Sequence, residues 1–324
     1  MKKRTIRAIT GLGVTTLALG LCTAAALPGQ AETAAPVQAQ ASTTVQKMAN
    51  GAAITTLTAA NGDETSVYDS QGPVIITPNA LTSTVDASGE TEYSSGASTS
   101  YAPAVYTLRS IPTAPVASVH DMLTALGADP ATVAYMDAIT APAPVTGPVL
   151  GGPLAKAKNP RASSCQGQFA DHRKVHFYGC WLQYLTWKNS AGDWHLLDNF
   201  YSSVTIHDGT GTFSDKITGL LQGLAYGKKG NEINQWIPKQ TTQEKCSSTN
   251  ITIGYDGTSA SDTFNACSEQ SGLYYGGTQH FQTKWDGKGD GPKEAARDTA
   301  GLDSMNNPPL ASPTRSTNYT YWWK

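Results

Sequence analysis

The stretch that decides the fold runs from Cys165 to Asp208 and reads CQGQFADHRKVHFYGCWLQYLTWKNSAGDWHLLDNFYSSVTIHD. It holds two of the five cysteines, three of the seven tryptophans and four of the six histidines of the chain. Large apolar residues recur on either side of turn-forming residues at 189–192. This pattern predicts two long strands joined as an antiparallel hairpin, and apolar groups on both faces place the first strand inside a sheet. Gly179 in that strand indicates a bulge or bend.

The turn also predicts which residues of the hairpin lie opposite each other. With the turn at 189–192, paired residue numbers sum to about 381. Asp198 is therefore predicted to lie opposite Gln183, and His195 near Thr186.

Shorter strand patterns continue along the rest of the sequence, for example over residues 250–255 and 278–285. All seven tryptophans, all six phenylalanines and nine of the fourteen tyrosines lie at or after Cys165, so the packed core is expected in this half. Residues 165–324 are therefore predicted to form a mainly β domain, a disulfide-stabilised antiparallel sandwich or open barrel.

The cysteine count indicates disulfide bonds. Loss of Cys22 with an N-terminal leader would leave an even number, which in an exported protein is typical of disulfides. Several connectivities are possible, and the sequential one, Cys165–Cys180 with Cys246–Cys267, is favoured because each bond closes a short loop. Zinc binding is the alternative, and the lack of a CxxC motif argues against it.

Residues 1–31 have the three-part order of a secretory signal peptide, with basic residues, an apolar run and small residues that allow cleavage after Ala26 or Ala31. An uncleaved membrane anchor is the alternative, since the run nearly reaches spanning length. Four of the 23 basic residues and none of the 25 acidic ones lie in this leader, so the cleaved chain has 19 basic side chains and a net charge of −6. That balance gives no electrostatic footprint for nucleic acid or an anionic membrane. The protein is predicted to be secreted and extracellular.

The composition between the leader and the hairpin predicts separate segments. Residues 32–116 are rich in Ala, Ser and Thr, and this low-complexity region is expected to be largely disordered because it offers few large groups to bury. Residues 117–140 have two short helical patterns with Ser118 and Asp129 as N-caps, which predicts a small helical hairpin. Residues 141–164 form a Pro/Gly linker, and basic residues near its end indicate a site for proteolytic maturation.

The histidines offer the main case for catalysis. The hairpin register brings His207 close to His176 at the open end, so His176, His207 and Asp208 are predicted as an acid–base group. A hydrogen-bonded sheet end without catalytic role is the alternative. His172 and His176 would lie too far apart in a strand to bind one metal ion.

Aromatic side chains are the candidates for ligand contact, because their rings stack on sugars and form interface hot spots. The predicted binding residues are Trp194, Tyr274, Tyr275, Trp285, Trp322 and Trp323. Core packing is the alternative for several of them, and the Tyr-Trp-Trp run at 321–323 is the part most expected to be exposed.

The Cys165/Cys180 pair with an aromatic strand after it, the Cys246/Cys267 pair and the strand TQHFQTKW at 278–285 carry a family resemblance. The chain resembles β-rich, cysteine-containing domains of exported proteins from high-GC Gram-positive bacteria, some of which precede NucA/NucB-type secreted deoxyribonuclease domains. The catalytic signature of those nucleases is missing here. The resemblance therefore implies an export-associated β module without catalytic residues to carry over.

The sequence has no GxSxG elbow, P-loop or GxGxxG fingerprint, and no metal ion or other cofactor is predicted. The favoured function is a secreted binding module whose target is cell-wall glycan, another polysaccharide or an exported protein. Nucleic acid is not expected as a partner, nor is a membrane after signal cleavage. A secreted hydrolase with a His/Asp site and a processed toxin or protease inhibitor are the alternatives.

Overall fold

The computed structural model describes residues 40–101, 116–140, 160–171, 173–188, 194–206, 216–226, 231–237, 247–255, 258–266, 269–275, 279–286, 296–306 and 313–323. The strands before the helices are β1 (Ser42–Lys47), β2 (Ala53–Thr58), β3 (Glu64–Asp69), β4 (Val74–Pro78), β5 (Thr82–Val85) and β6 (Thr91–Tyr101). The helices are α1 (Val119–Ala125) and α2 (Pro130–Thr140). The later strands are β7 (Ala162–Ala170), β8 (Val175–Lys188), β9 (Trp194–Ile206), β10 (Lys216–Ala225), β11 (Asn231–Ile237), β12 (Ser247–Tyr255), β13 (Thr258–Ala266), β14 (Glu269–Tyr275), β15 (His280–Asp286), β16 (Ala296–Asn306) and β17 (Thr314–Trp323).

Two large antiparallel sheets contain most of these strands. The first sheet has eight strands in the order β1-β2-β3-β7-β8-β9-β16-β11. The second has seven strands in the order β14-β15-β10-β17-β6-β4, with β5 also paired to β6. A separate pair is formed by β12 and β13. Each large sheet takes strands from both sides of the helices in sequence, so the two parts of the chain fold together.

The inner faces of the two large sheets pack against each other. Alternate residues of β8 and β9 in the first sheet meet alternate residues of β10 and β17 in the second, as the period of two along a strand requires. One buried cluster across this interface contains Val175, Phe177, Val204, Ile206, Ile217, Leu220, Tyr319 and Tyr321. The predicted mainly β antiparallel sandwich is confirmed.

Cys165 and Cys180 form a disulfide bond between neighbouring strands. The two residues lie directly opposite each other in the register of β7 and β8, with their Cα atoms 4.1 Å apart, and both are fully buried. This pairing confirms the first half of the predicted connectivity. Cys246 and Cys267 lie outside the described residues, so their pairing stays a prediction.

The central hairpin has the predicted register. Gln183 of β8 lies opposite Asp198 of β9, as the turn position predicts. A register shift just before Trp187 then places His195 opposite Trp187, one residue from the predicted Thr186. The turn chemistry therefore predicted the pairing of the long strands, and a local irregularity changed it by one residue near the turn.

Gly179 does not mark the expected bulge, because the register of β8 and β9 is continuous past its partner Ser202. A Cβ atom on Gly179 would lie 2.8 Å from Cζ of Phe177 and 2.9 Å from Cε2 of Phe200. Glycine is required here because two aromatic rings of the core pack directly against the backbone.

Residues 42–101 are the main correction to the sequence-based expectation. They were expected to be largely disordered, yet they form β1 to β6, and β6 lies between β17 and β4 in the second sheet. Val67 and Ala97 in this segment are fully buried. Composition did not show that Val67, Val74 and Tyr101 would form a small core of their own. It also did not show that β3 pairs with β7 and β6 pairs with β17, far along the chain.

The helices form the predicted hairpin with the predicted caps. At the start of α1, the Ser118 hydroxyl accepts a hydrogen bond from the backbone N–H of Asp121. At the start of α2, the Asp129 carboxylate accepts hydrogen bonds from the N–H groups of Ala131 and Thr132. These side chains satisfy N–H groups that the first turn of a helix leaves without a backbone acceptor.

The helical hairpin packs on the outer face of the first sheet. Met122, Leu123 and Met136 are fully buried in a cluster with Tyr178 and Tyr201. No helix in the described ranges has both the length and the apolar character needed to cross a membrane. The predicted signal peptide, residues 1–31, lies outside the described residues. So does most of the predicted linker, and β7 already begins at Ala162.

Candidate functional site

The outer face of the second sheet is accessible, whereas the helical hairpin covers part of the first sheet through β7 and β9. In β17, Thr317, Tyr319 and Tyr321 are buried against the first sheet, and the residues between them are only half-buried. We call this outer surface the open face. Its described side chains come from Glu92, Ser94, Ser98, Ser100, Thr218, Leu221, Gly223, His280, Gln282, Lys284, Ser316, Asn318, Thr320 and Trp322.

Hydroxyl and amide groups dominate the open face. β6 contributes three serines, and β17 contributes Ser316, Asn318 and Thr320 in alternate positions. The charged side chains in the set defined above are Glu92 and Lys284, which have opposite sign. Such a surface can donate and accept many hydrogen bonds, and its charge does not favour either anionic or cationic ligands.

Hydrogen bonds between strands of the second sheet order these polar groups. The Ser94 hydroxyl donates to Oδ1 of Asn318 at 2.7 Å. The Thr218 hydroxyl lies 2.6 Å from Oε1 of Glu92 and 2.9 Å from Oγ1 of Thr320. Side chains held in this way lose less conformational entropy when a ligand binds.

Trp322 lies at one end of the open face. It pairs with Glu92 of β6 on one side and with Lys216 of β10 on the other, and its side chain is half-buried. An indole that is neither in the core nor fully exposed keeps part of its surface available for stacking. Trp322 is therefore a partly accessible aromatic side chain beside the polar groups of the open face.

The predicted aromatic residues are divided between the two sheets. Trp322 is the member of the set whose side chain the structure describes. The backbone positions of the others lie in β9 for Trp194, in β14 for Tyr274 and Tyr275, in β15 for Trp285 and in β17 for Trp323. The predicted set is therefore not one cluster, because Trp194 belongs to the first sheet and the rest to the second.

His176, the described member of the predicted acid–base group, lies in the first sheet. Its Nε2 atom is 2.8 Å from the carbonyl oxygen of Arg173, and its ring meets that of Phe169 edge-on at 4.9 Å. The guanidinium of Arg173 lies 4.0 Å from the centroid of the same Phe169 ring. These contacts fit a hydrogen-bonded sheet end. His207 and Asp208 lie outside the described residues, so the catalytic group stays a prediction.

A buried charged cluster between the sheets was missed by sequence reasoning. Asp69 is fully buried, with Oδ2 at 3.2 Å from Nη2 of Arg315 and both carboxylate oxygens at 2.7 Å from the Tyr101 hydroxyl. The Gln71 backbone N–H donates to Oδ1 of Asp69 at 2.8 Å. Burial raises the pKa of Asp69, and the Arg315 charge acts in the opposite direction. Asp69 and Arg315 are too far apart in the sequence for their contact to be predicted before the pairing of the strands is known.

A second buried carboxylate, that of Asp198, lies in the first sheet. Asp198 is fully buried in β9, opposite the fully buried Gln183. Burial lowers the pKa of Arg161, and the Asp198 charge opposes that effect. Because Asp69 and Asp198 are both enclosed by protein, these charges act on the stability of the sandwich rather than on a ligand at its surface. Among the described residues, no group of His, Cys, Asp and Glu is placed to hold a metal ion.

Comparison with known proteins adds little to this geometry. No family model and no curated protein matches the chain. Among solved structures, the N-terminal domain of the Streptococcus gordonii adhesin Sgo0707 is similar over 88% of this chain and 59% of that chain, with 7% identity and a TM-score of 0.18. That similarity is too low to support a conclusion about fold or function.

Proposed function

We propose that the protein is an exported binding module that holds a neutral polysaccharide on the open face. The observation that carries this proposal is the ordered set of hydroxyl and amide groups on β6 and β17, with the half-buried Trp322 at its end. Binding rather than catalysis is the function that such a surface supports best.

The chemistry of the open face matches that of an uncharged sugar chain. Sugar hydroxyl groups both donate and accept hydrogen bonds, as Ser, Thr and Asn side chains do. An indole face stacks on the apolar face of a sugar ring. Nucleic acids and acidic polymers would need a basic surface, and among the described side chains of the open face Glu92 balances Lys284.

The proposed location outside the cell rests on two separate observations. Residues 1–31 have the pattern of a signal peptide. Cys165 and Cys180 form a disulfide bond, which is typical of oxidising compartments. A polysaccharide of the cell wall or of the surroundings would be accessible to a protein exported in this way.

The test is calorimetric titration of the purified, disulfide-intact protein with laminarin, dextran and soluble starch, and with polygalacturonate as an acidic comparison. At least one neutral polymer should bind, and Trp322→Ala should weaken binding at least about tenfold, or about 1.4 kcal/mol. Tyr135→Ala, on the helical hairpin away from the open face, serves as the aromatic control. Wild-type affinity in Trp322→Ala, or binding of the acidic polymer alone, would contradict the proposal.

A further inference from the structure

The Cys165–Cys180 disulfide lies on the outer face of the first sheet, in a row of four paired residues. Tyr68 of β3 lies opposite Cys165, and Tyr201 of β9 lies opposite Cys180. Side chains paired in this way point to the same face of a sheet, so a tyrosine flanks the disulfide on each side. All four residues are buried in one cluster.

The helical hairpin covers this row from the outside. Met122 and Leu123 of α1 and Met136 of α2 are fully buried and belong to the same cluster as the two cysteines. Along β8, the neighbours on the same face are the buried Tyr178 and Leu182. The disulfide is therefore enclosed by the sheet below, by side chains around it and by the helices above.

The hairpin has polar contacts of its own that do not involve the sheet. Nδ1 of His120 on α1 lies 2.8 Å from Oδ2 of Asp137 on α2, and each helix has its own side-chain cap. Toward the sheet, the Ser163 hydroxyl donates to the carbonyl oxygen of Ala117 at 3.3 Å, and the cluster that joins the hairpin to the sheet is largely apolar. The hairpin can therefore leave the sheet without breaking the bonds that hold its two helices together.

Undocking of the hairpin should require less free energy than unfolding of the whole protein. It exposes the cluster shared by the helices and the outer face of the first sheet, whereas the clusters between the two sheets stay packed. Proteins commonly open in such local units, at free energies below that of global unfolding. The disulfide then becomes accessible while the sandwich is still folded.

We propose that the helical hairpin, residues 117–140, is a lid that controls reduction of the Cys165–Cys180 disulfide. Reduction begins when a thiolate of a dithiol reductant attacks one sulfur and the other cysteine leaves as a thiolate. The second thiol of the reductant then closes its own disulfide and releases the first cysteine, so the reductant supplies both electrons. The docked hairpin keeps the attacking thiolate away from both sulfur atoms. The open face belongs to the other sheet, so this inference does not rest on the proposed function.

The first measurement is the rate at which dithiothreitol reduces this disulfide in the folded protein, followed by alkylation and peptide mapping of Cys165 and Cys180. The logarithm of the rate should rise with urea concentration less steeply than the equilibrium constant for unfolding does, because the slope scales with the surface exposed. Equal slopes would overturn the proposal, since reduction would then require global unfolding. A rate equal to that of a disulfide in a short unfolded peptide would also overturn it, since the hairpin would then be no barrier.

The second measurement compares two core variants. Met136→Ala should raise the reduction rate at least about tenfold, because truncating a buried methionine typically costs more than the 1.4 kcal/mol that corresponds to about tenfold. Ile217→Ala is the matched control, because Ile217 is fully buried between the two sheets and its contacts persist when the hairpin undocks. Its reduction rate should stay close to that of the wild type even though its global stability is lower.

The two variants separate local undocking from global unfolding. An unchanged rate in Met136→Ala, or an equal increase in Ile217→Ala, would show that the hairpin does not control access to the disulfide. Circular dichroism confirms that each variant is folded. If either variant does not fold, the urea dependence of the wild-type rate decides the question alone.

Discussion

Asp69 and Arg315 form a buried salt bridge, 3.2 Å long, between residues 246 positions apart in sequence. Asp69 ends β3 in the first sheet, and Arg315 lies near the start of β17 in the second. Tyr101 of β6 lies against the same carboxylate. The cluster therefore joins the two sheets and also joins the early strands to the last one.

Removing one partner of this salt bridge should destabilise the fold strongly. Asp69→Asn or Arg315→Leu would leave an uncompensated charge or an unmet donor in the interior, which typically costs about 3–5 kcal/mol. Urea denaturation monitored by tryptophan fluorescence measures the free energy of unfolding. Arg173→Leu is the control, because its pair with Glu64 is 3.6 Å long and largely exposed, and such pairs contribute less than about 1 kcal/mol. Equal losses in the buried and the exposed variants would contradict this assignment.

Cleavage between α2 and β7 should not release the N-terminal part of the protein. β3 pairs with β7, and β6 pairs with β17, so residues 40–140 are held by two sheets and by the Asp69–Arg315 pair. A protease site introduced within residues 141–159 should yield two fragments that co-elute from a sizing column. They should separate in denaturant without reductant, because residues 32–140 contain no cysteine. A folded C-terminal fragment obtained alone would show that the early strands are dispensable.

Gly179→Ala should destabilise the protein by about 1–3 kcal/mol, as overpacking of a core commonly does. The new methyl group would meet the rings of Phe177 and Phe200 at less than 3.0 Å. Gly167→Ala in the neighbouring strand is the matched control, since a Cβ atom at position 167 would lie 3.2 Å from Cε1 of Tyr178, its nearest neighbour. Thermal denaturation of both variants should show the larger loss for Gly179→Ala, and the reverse order would exclude ring packing as the reason for this glycine.

Cys246 and Cys267 should be joined by a disulfide bond. In the β12–β13 pair, Ser247 lies opposite Ala266. Cys246 directly precedes the first of these residues and Cys267 directly follows the second. Extending the register by one pair would place the cysteines opposite each other, as Cys165 and Cys180 are. Peptide mapping without reduction should recover the linked peptides, whereas alkylation of both thiols in the unreduced protein would refute the pairing.

The sequence predicted those parts of the fold that depend on interactions between residues close together in the chain. The turn at 189–192 sets the pairing of Gln183 with Asp198, and Ser118 and Asp129 cap the helices as predicted. The Cys165–Cys180 bond follows from spacing, because the short loop favours strands that are neighbours.

The remaining features depend on pairings between distant segments. β6 contains no large aliphatic residue, and it is ordered because β17 and β4 flank it in the second sheet. The side chains of His280 in β15 and Ser316 in β17 meet over Gly223 of β10, which requires that these three strands pair. Neither feature is visible in residue order. The aromatic content of the sequence pointed to Trp322 as a candidate binding residue. The sequence could not show that Trp194, another candidate, belongs to the other sheet.

The half-buried position of His280 makes the stability of the protein depend on pH in a definite direction. Burial lowers the pKa of this histidine in the folded state, so the unfolded chain binds its proton more readily. The free energy of unfolding should therefore fall as the pH falls below about 6.5, the ordinary pKa of histidine, and this loss should continue until the folded state is also protonated. Ser316 and Gln282, whose side chains reach the same space over Gly223 as the ring, carry no charge, and the positive Lys284 on the same strand would not favour protonation. Urea denaturation at pH 7.5 and at pH 5 should show a smaller difference for His280→Gln than for the wild type. An unchanged difference in His280→Gln would rule out this residue as the cause.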